Sequence, residues 1–212
     1  MLNLFLIALL SYLIGSIPTS IIFSRLMRGI DIREHGSKNA GAANVFRVLG
    51  PIPGVMVLLL DAAKGFLAVT FISSITVGPV LQVDPVYLKL LAAVAATFGH
   101  IYTLLAGFKG GKGIGTGGGA LLGLIPREVG LALLVFVIVL AWKRYVSLGS
   151  LCAAVFISLA VTFEKIWMKM NIPSILVLTC WGLTLLVFYT HRYNIRRLLT
   201  GTEKKMAEKV NS

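Results

Sequence analysis

Apolar residues come in seven runs along this chain, and polar residues crowd between them. The runs cover about residues 2–23, 52–77, 86–106, 113–124, 129–142, 146–163 and 172–189. A helix needs about 20 apolar residues to cross ~30 Å of hydrocarbon, so the pattern predicts an all-α integral membrane protein. Two runs are short, and Pro126, Arg127 and Glu128 lie between them. One helix over 113–142 would be about 45 Å long and would carry that trio into lipid. Two short helices meeting at a turn are therefore expected. The expected fold has seven transmembrane helices, two of them short, in a single membrane domain over 1–212. Residues 196–212 read as a partly amphipathic or flexible basic tail. The first run lacks a basic leader and a small-residue cleavage site, so it is expected to stay as a helix. No internal repeat is evident, and an inverted-repeat transporter gets no support.

Composition strengthens the membrane reading. Of 212 residues, 57% are hydrophobic and 13% charged, and the mean hydropathy is +0.90. That leaves no room for a separate soluble domain. The net charge of +12 would suggest nucleic acid in a soluble protein; here it marks loops facing anionic lipid, and no nucleic-acid partner is expected. With seven spans and the N-terminus outside, the cytoplasmic side holds Arg25, Arg28, Arg33, Lys38, Arg47, Lys109, Lys112, Lys143, Arg144 and the whole basic tail. The outer side holds only Arg127, Lys165 and Lys169. This asymmetry predicts a cytoplasmic C-terminus. Cys152 and Cys180 fall in apolar runs and read as buried hydrophobes. No Cys/His spacing resembles a metal site, so no metal is expected.

Four polar clusters carry candidate chemistry. The first, GIDIREHGSKNAGAANVFR (29–47), offers Ser37 as nucleophile, donor or helix cap, Asn39 and Asn44 to orient oxygens, and Arg47 as a planar fork for phosphate. A solvated loop with capping residues is the plain alternative. The second, DAAKG, puts Asp61 and Lys64 three apart on one helical face inside an apolar run. A charge near mid-membrane costs ~2.5–3.5 kcal/mol. They are either a structural ion pair, or Lys64 points into a polar site while Asp61 holds it. The third, GHIYTLLAGFKGGKGIGTGGG (99–119), places Lys109 and Lys112 around Gly110 and Gly111, ahead of a helix expected near Gly113. Backbone N–H groups there, with two lysines, would cradle a phosphate. It is not a Walker A loop, which requires glycine at Ala106 and Ser or Thr at Gly113. Gly115 and Gly119 form GxxxG, a helix-packing pattern. The fourth, HRYNIRRLLTGTEKK, has His191 just after the last run and Asn194 three on. It is either an amphipathic tail on anionic lipid or a site with His191 as base or proton carrier. His100 sits at a membrane edge and His35 in the first loop. Ser147 and Ser150 open the sixth run, where capping is the default and Ser147 is also a candidate ligand.

Together these segments resemble the bacterial acyl-phosphate:glycerol-3-phosphate acyltransferase family, of the PlsY type. GSIPTS, the 29–47 cluster, DAAKG, GHIYTLLAGFKGGKG and HRYNIRRLLTGTE occur in the family's order over nearly the whole chain. The resemblance implies a multi-pass protein of the bacterial cytoplasmic membrane with its active site facing the cytoplasm. It implies acyl transfer from acyl phosphate to the 1-hydroxyl of glycerol 3-phosphate, giving lysophosphatidate and phosphate. No cofactor, coenzyme A, acyl carrier protein or metal is implied. Carried over, the first motif's essential residues are Ser37 and Arg47, the glycerol-phosphate motif spans 107–113, and the third motif's residues are His191 and Asn194, with Glu203 structural. On this footing Ser37, Asn39, His191 and Asn194 are the catalytic candidates. Arg47, Lys64, His100, Lys109, Gly110, Gly111, Lys112, Gly113 and Ser147 are the substrate-binding ones. Lys38 stands where the family usually has glycine, Ala43 where it has threonine, and Thr103 where it often has proline.

Three rivals fare worse. A transporter for an anionic metabolite needs polar residues on both sides, and the outer loops are plain. A CDP-alcohol phosphotransferase needs a spaced aspartate array, which Asp31, Asp61 and Asp84 do not make. A structural lipid-binding subunit would lack turnover. The His-x4-Asp acyltransferase signature is also absent, which points to a different catalytic design.

Overall fold

The first apolar run is not one helix. In the computed structural model, which describes residues 1–77 and 82–206, α1 (Leu2–Gly15) ends at a break and α2 (Thr19–Arg28) begins after Pro18. Proline has no N–H to continue the ladder, and the interrupted carbonyls of Gly15 and Ile17 are taken by the Lys64 ammonium at 3.2 and 2.8 Å. The first polar cluster is not all loop either, since it ends in α3 (Ala42–Leu49).

Six of the remaining seven α-helices among the described residues follow the apolar runs, and the last lies in the fourth polar cluster. They are α4 (Pro51–Thr70), α5 (Pro85–Ile101), α6 (Ile114–Leu122), α7 (Pro126–Lys143), α8 (Val146–Ile166), α9 (Ser174–Thr190) and α10 (Arg192–Leu199). The division of 113–142 into two helices is as expected, but Pro126, Arg127 and Glu128 form the first turn of α7 rather than the turn before it, and α7, with 18 residues, is not short. By length and hydropathy the stretches Leu2–Arg28, Pro51–Ser74, Pro85–Ala106 and Val146–Ile166 can each cross a membrane, and α9 with α10, bent by 63°, makes a fifth candidate. No strand occurs among the described residues.

The described helices fall into two compact units, residues 1–124 and 125–206. In the first unit small residues let backbones touch. A methyl group on Gly15 would lie 2.1 Å from the Ala96 carbonyl oxygen, and one on Gly99 2.2 Å from that of Tyr12, which locks α1 to α5. A methyl on Gly65 would meet the Thr116 oxygen, and one on Gly119 the Ala62 oxygen, both at 1.9 Å. Gly115–Gly119 is thus a packing face against α4, as the GxxxG spacing suggested. In the second unit Ser158 and Thr184 hydroxyls meet at 2.9 Å between α8 and α9, and Thr184 also donates to the Ala154 carbonyl.

Polarity runs inside out. Ser11, Ser16, Ser24, Asp61, Lys64, Thr116 and Ser158 are buried, while Leu59, Leu133, Leu178 and Leu185 are exposed. Helices that face lipid bury their polar groups against one another and turn leucine outward.

Candidate active site

The first loop is built around one asparagine. Asn44, in the first turn of α3, is 1% exposed. Its amide donates to the Ile32 and His35 carbonyls at 2.9 Å each, and its Oδ1 accepts the Ser37 backbone N–H at 2.8 Å. Asn44 therefore shapes the loop, which corrects its reading as an oxygen-orienting group. Ser37 does not cap α3, whose N-cap is Gly41, so of its three readings the cap is removed. Ser37, Asn39 and Arg47 are half-buried on this loop and helix. Lys38 takes φ +58°, the left-handed region that glycine adopts without strain.

Two contacts join this loop to the glycine-rich one, and the sequence announces neither. Arg33 forms a double contact with Asp31 (Nε to Oδ1 3.0 Å, Nη2 to Oδ2 2.7 Å) and reaches the Ala106 carbonyl with Nη1 at 2.8 Å. The Arg33 hydrogen bond outweighs burial and holds the Asp31 carboxyl well below the usual carboxylate range. Gly111 packs so close to the Ala40 carbonyl that a methyl group would lie 2.7 Å from it. In the sequence Arg33 reads only as a charge that marks topology. The partner carbonyl is 73 residues away, so no local pattern could reveal it.

The glycine loop differs from expectation at its start. The Gly110 and Gly111 N–H groups donate to the Ile101 and His100 carbonyls, both at 3.1 Å. They close the end of α5 and do not form an anion cradle. Gly113, at φ +84°, caps α6, and Thr103 Oγ1 donates to the Gly99 and His100 carbonyls at the α5 end. Lys109 is exposed and Lys112 half-buried.

Two further expected ligands lie beneath the loop. Lys64 Nζ, with a side chain 6% exposed, lies 2.8 Å from Asp61 Oδ1 besides holding the Gly15 and Ile17 carbonyls. Its three donors are all engaged, so it cannot also grip a substrate; of its two readings the ion pair stands. His100 is buried, with Nδ1 3.6 Å from Asp61 Oδ1.

The second unit carries the third motif. Glu203 returns the chain after α10, and its carboxylate accepts from Ser147 Oγ (2.7 Å), Asn194 Nδ2 (2.6 Å) and Arg197 Nε (2.7 Å). Burial alone would raise its pKa; the three hydrogen bonds outweigh burial and hold it below the usual value. Ser147 is therefore a clamp on Glu203, a correction to its place among the ligands. His191 is 3% exposed, and its Nδ1 lies 2.9 Å from the Val187 carbonyl. A carbonyl only accepts, so Nδ1 carries the proton and Nε2 is the basic nitrogen of the neutral ring. The basic tail at residues 207–212 lies outside the described residues. Among the described residues no group of His, Cys, Asp and Glu is arranged to hold a metal ion.

Helices with polar interiors and outward-facing leucines, carrying cationic loops at their ends, define a multi-pass membrane protein. Comparison with known proteins gives the family. The family model for glycerol-3-phosphate acyltransferase matches residues 5–201, and the chain belongs to that family. The glycerol-3-phosphate acyltransferases of Chlorobium phaeobacteroides strain BS1 and Chlorobaculum tepidum are 41% and 39% identical to it, over 97% and 98% of both chains respectively. Two crystal structures of PlsY, described as an integral membrane glycerol 3-phosphate acyltransferase, are similar in fold. The glycerol 3-phosphate form has a TM-score of 0.82 at 33% identity, covering 97% of this chain and 96% of that one. The lysophosphatidic acid form has a TM-score of 0.80 at 32% identity, covering 97% and 95%.

Proposed function

We propose that this acyltransferase takes its acyl group from acyl phosphate and places it on the 1-hydroxyl of glycerol 3-phosphate, releasing lysophosphatidate and phosphate. The observation that carries the reading is the seating of the serine–asparagine loop directly on the lysine–glycine loop, through Arg33 to Ala106 and Ala40 to Gly111. The segments that carry these loops also carry Arg47 on α3 and Lys109 and Lys112 beside the glycines, cations suited to two phosphorylated substrates. The ligands named for the two PlsY structures are an acceptor and a product of this reaction.

In the step itself the hydroxyl oxygen of glycerol 3-phosphate bonds to the acyl carbonyl carbon. The bond from that carbon to the phosphate oxygen breaks, and phosphate leaves with the electron pair. An acyl phosphate is already activated, so no covalent enzyme intermediate is required. Holding two anions in reacting order can supply ~7–11 kcal/mol, and preorganised donors at the oxyanion add to it. Arg47, Lys109 and Lys112 bind phosphate. Ser37 and Asn39 orient the hydroxyl or the oxyanion. His191, with Nε2 as its basic nitrogen, handles the hydroxyl proton or orients the nucleophile, and Asn194 supports it. A substrate phosphate oxygen is the competing proton acceptor. We assign seven spans with the N-terminus outside, which places these loops at the cytoplasmic face of the bacterial inner membrane, on the strength of the loop-charge asymmetry.

The test uses the purified full chain with acyl phosphate and glycerol 3-phosphate, without metal, coenzyme A or acyl carrier protein. Lysophosphatidate and phosphate in equal amounts are expected. Acylation that proceeds only with a thioester donor overturns the acyl-phosphate reading. A Ser37→Ala enzyme with normal turnover removes the serine from the chemistry.

A further inference from the structure

Under the glycine loop lies a buried polar knot that the acyl-transfer chemistry leaves without a task. Asp61 is its centre. It pairs with Lys64 at 2.8 Å, accepts the Thr19 hydroxyl at the start of α2, and lies 3.6 Å from His100 Nδ1. Lys64 in turn holds the two carbonyls of the α1–α2 break. One ion pair thus ties α1, α2, α4 and α5 together. Two charges at membrane depth are costly, and a tie between helices could be made with hydroxyls, as Ser158 and Thr184 do in the second unit.

The knot also bears on both ends of the loop. At its start, a methyl group on Gly111 would lie 2.1 Å from His100 Nε2, and one on Gly110 2.0 Å from the His100 carbonyl oxygen. Both glycines hydrogen-bond to the end of α5. Past its end, a methyl on Gly115 would lie 2.9 Å from Asp61 Cβ. A cavity of about 10 Å³ is lined by Thr19, Ser20, His100, Thr103, Gly110 and Gly111. That is room for about one water, so the imidazole is what fills the space beneath the glycines, and removing it without replacement leaves the loop over a void.

We propose that Asp61, Lys64 and His100 are positioning residues that set the shape of the 107–113 loop and thereby the affinity for the phosphate of glycerol 3-phosphate, without touching substrate. This rests on the reading that the loop receives that phosphate. The spacing of Lys109 and Lys112 follows the glycine backbone between them, and that backbone rests on His100. A phosphate-gripping donor displaced by about 1 Å leaves hydrogen-bonding distance, and the loss of a ground-state contact is felt in KM.

The two ring nitrogens face different partners, which separates positioning from general stability. His100→Gln places an amide near the Nε2 position, against Gly111. His100→Asn reaches only the Nδ1 position, toward Asp61. In the full-length enzyme, His100→Ala is expected to raise the KM for glycerol 3-phosphate about tenfold or more, with kcat and the acyl-donor KM changed less than about threefold. Gln should restore KM to within about threefold of wild type, and Asn should not. Melting with and without glycerol 3-phosphate gives a second readout that needs no acyl donor: the ligand-induced rise in midpoint should shrink in His100→Ala and return in His100→Gln. An unchanged KM and an unchanged ligand-induced rise in His100→Ala overturn the proposal, as does equal rescue by Asn and Gln. If His100→Ala does not fold, the Gln–Asn contrast decides alone. A wild-type enzyme that gains no stability from glycerol 3-phosphate overturns the loop's assignment itself, a result distinct from equal responses in wild type and variant.

Discussion

Replacing Glu203 with glutamine tests the clamp on the third motif. The carboxylate side chain is 4% exposed and receives Ser147, Asn194 and Arg197 within 2.6–2.7 Å. Glutamine keeps the shape but offers one accepting oxygen, and its NH2 can only donate. It must turn that NH2 either toward Arg197 or toward the Ser147–Asn194 pair. A hydrogen bond to a charged group is worth ~1.5–3 kcal/mol; Arg197 is 42% exposed, so its share is nearer ~1 kcal/mol after solvent screening. The net loss is about 2–3 kcal/mol, a fall in melting midpoint of roughly 5–10 °C for a chain of this length. Turnover is expected to fall by up to about tenfold, because Asn194 either loses its acceptor or keeps only the weaker, neutral amide oxygen. The pH dependence has a definite sign. Glu203 has a depressed pKa when folded, so its stabilisation is present above the unfolded value of about 4.3 and is lost as pH falls through the folded value. The gap between wild type and Glu203→Gln should be full at pH 6–8 and narrow below about pH 4. Thermal melts in detergent across this range, with initial rates at pH 7, check both parts. Equal midpoints at pH 7 refute the clamp, and a gap that stays constant into acid refutes the charge contribution.

Three other outcomes are expected. Gly119→Ala drives a methyl to 1.9 Å from the Ala62 oxygen and should cost about 1–3 kcal/mol by overpacking, whereas Gly118→Ala, with nothing within 4 Å, should be neutral or stabilising by up to ~1 kcal/mol; paired melts decide. Lys38→Gly relieves a left-handed lysine and should leave stability unchanged or raise it by up to ~1 kcal/mol, while Lys38→Val should lower it by about 1–2 kcal/mol; a lower midpoint for the glycine variant contradicts this. Arg47→Ala should raise the KM of a phosphorylated substrate tenfold or more, and a drop in kcat at constant KM would move its contact into the transition state.

Much of the helix pattern was legible before any coordinates. Six of the seven apolar runs mark where α4 to α9 lie, and Pro126 marks the division between α6 and α7, because hydrocarbon imposes length and polarity limits that a sequence shows directly. The GxxxG face was legible for a related reason: only glycine allows backbone contact in lipid. The break at Gly15–Pro18 was missed because Pro18 sits inside an unbroken apolar run, and the group that satisfies the broken carbonyls, Lys64, comes from another helix.

The site divides along the same line. Which residue types serve phosphate and acyl chemistry could be read from composition and motif order, since those follow from side-chain chemistry: a guanidinium, two ammonium groups, a serine, an imidazole. Which of them can reach a substrate could not. Ser147, Lys64 and the Gly110 and Gly111 N–H groups looked like ligands by type, yet each already holds a carboxylate or a carbonyl of the protein. Asn44 and Arg33 looked secondary, yet they shape the first loop and join it to the next. A donor's chemistry is local and travels with its residue. Its partner is set by the packing of helices many residues apart, and only the tertiary structure decides whether a donor meets its own backbone or remains for a substrate.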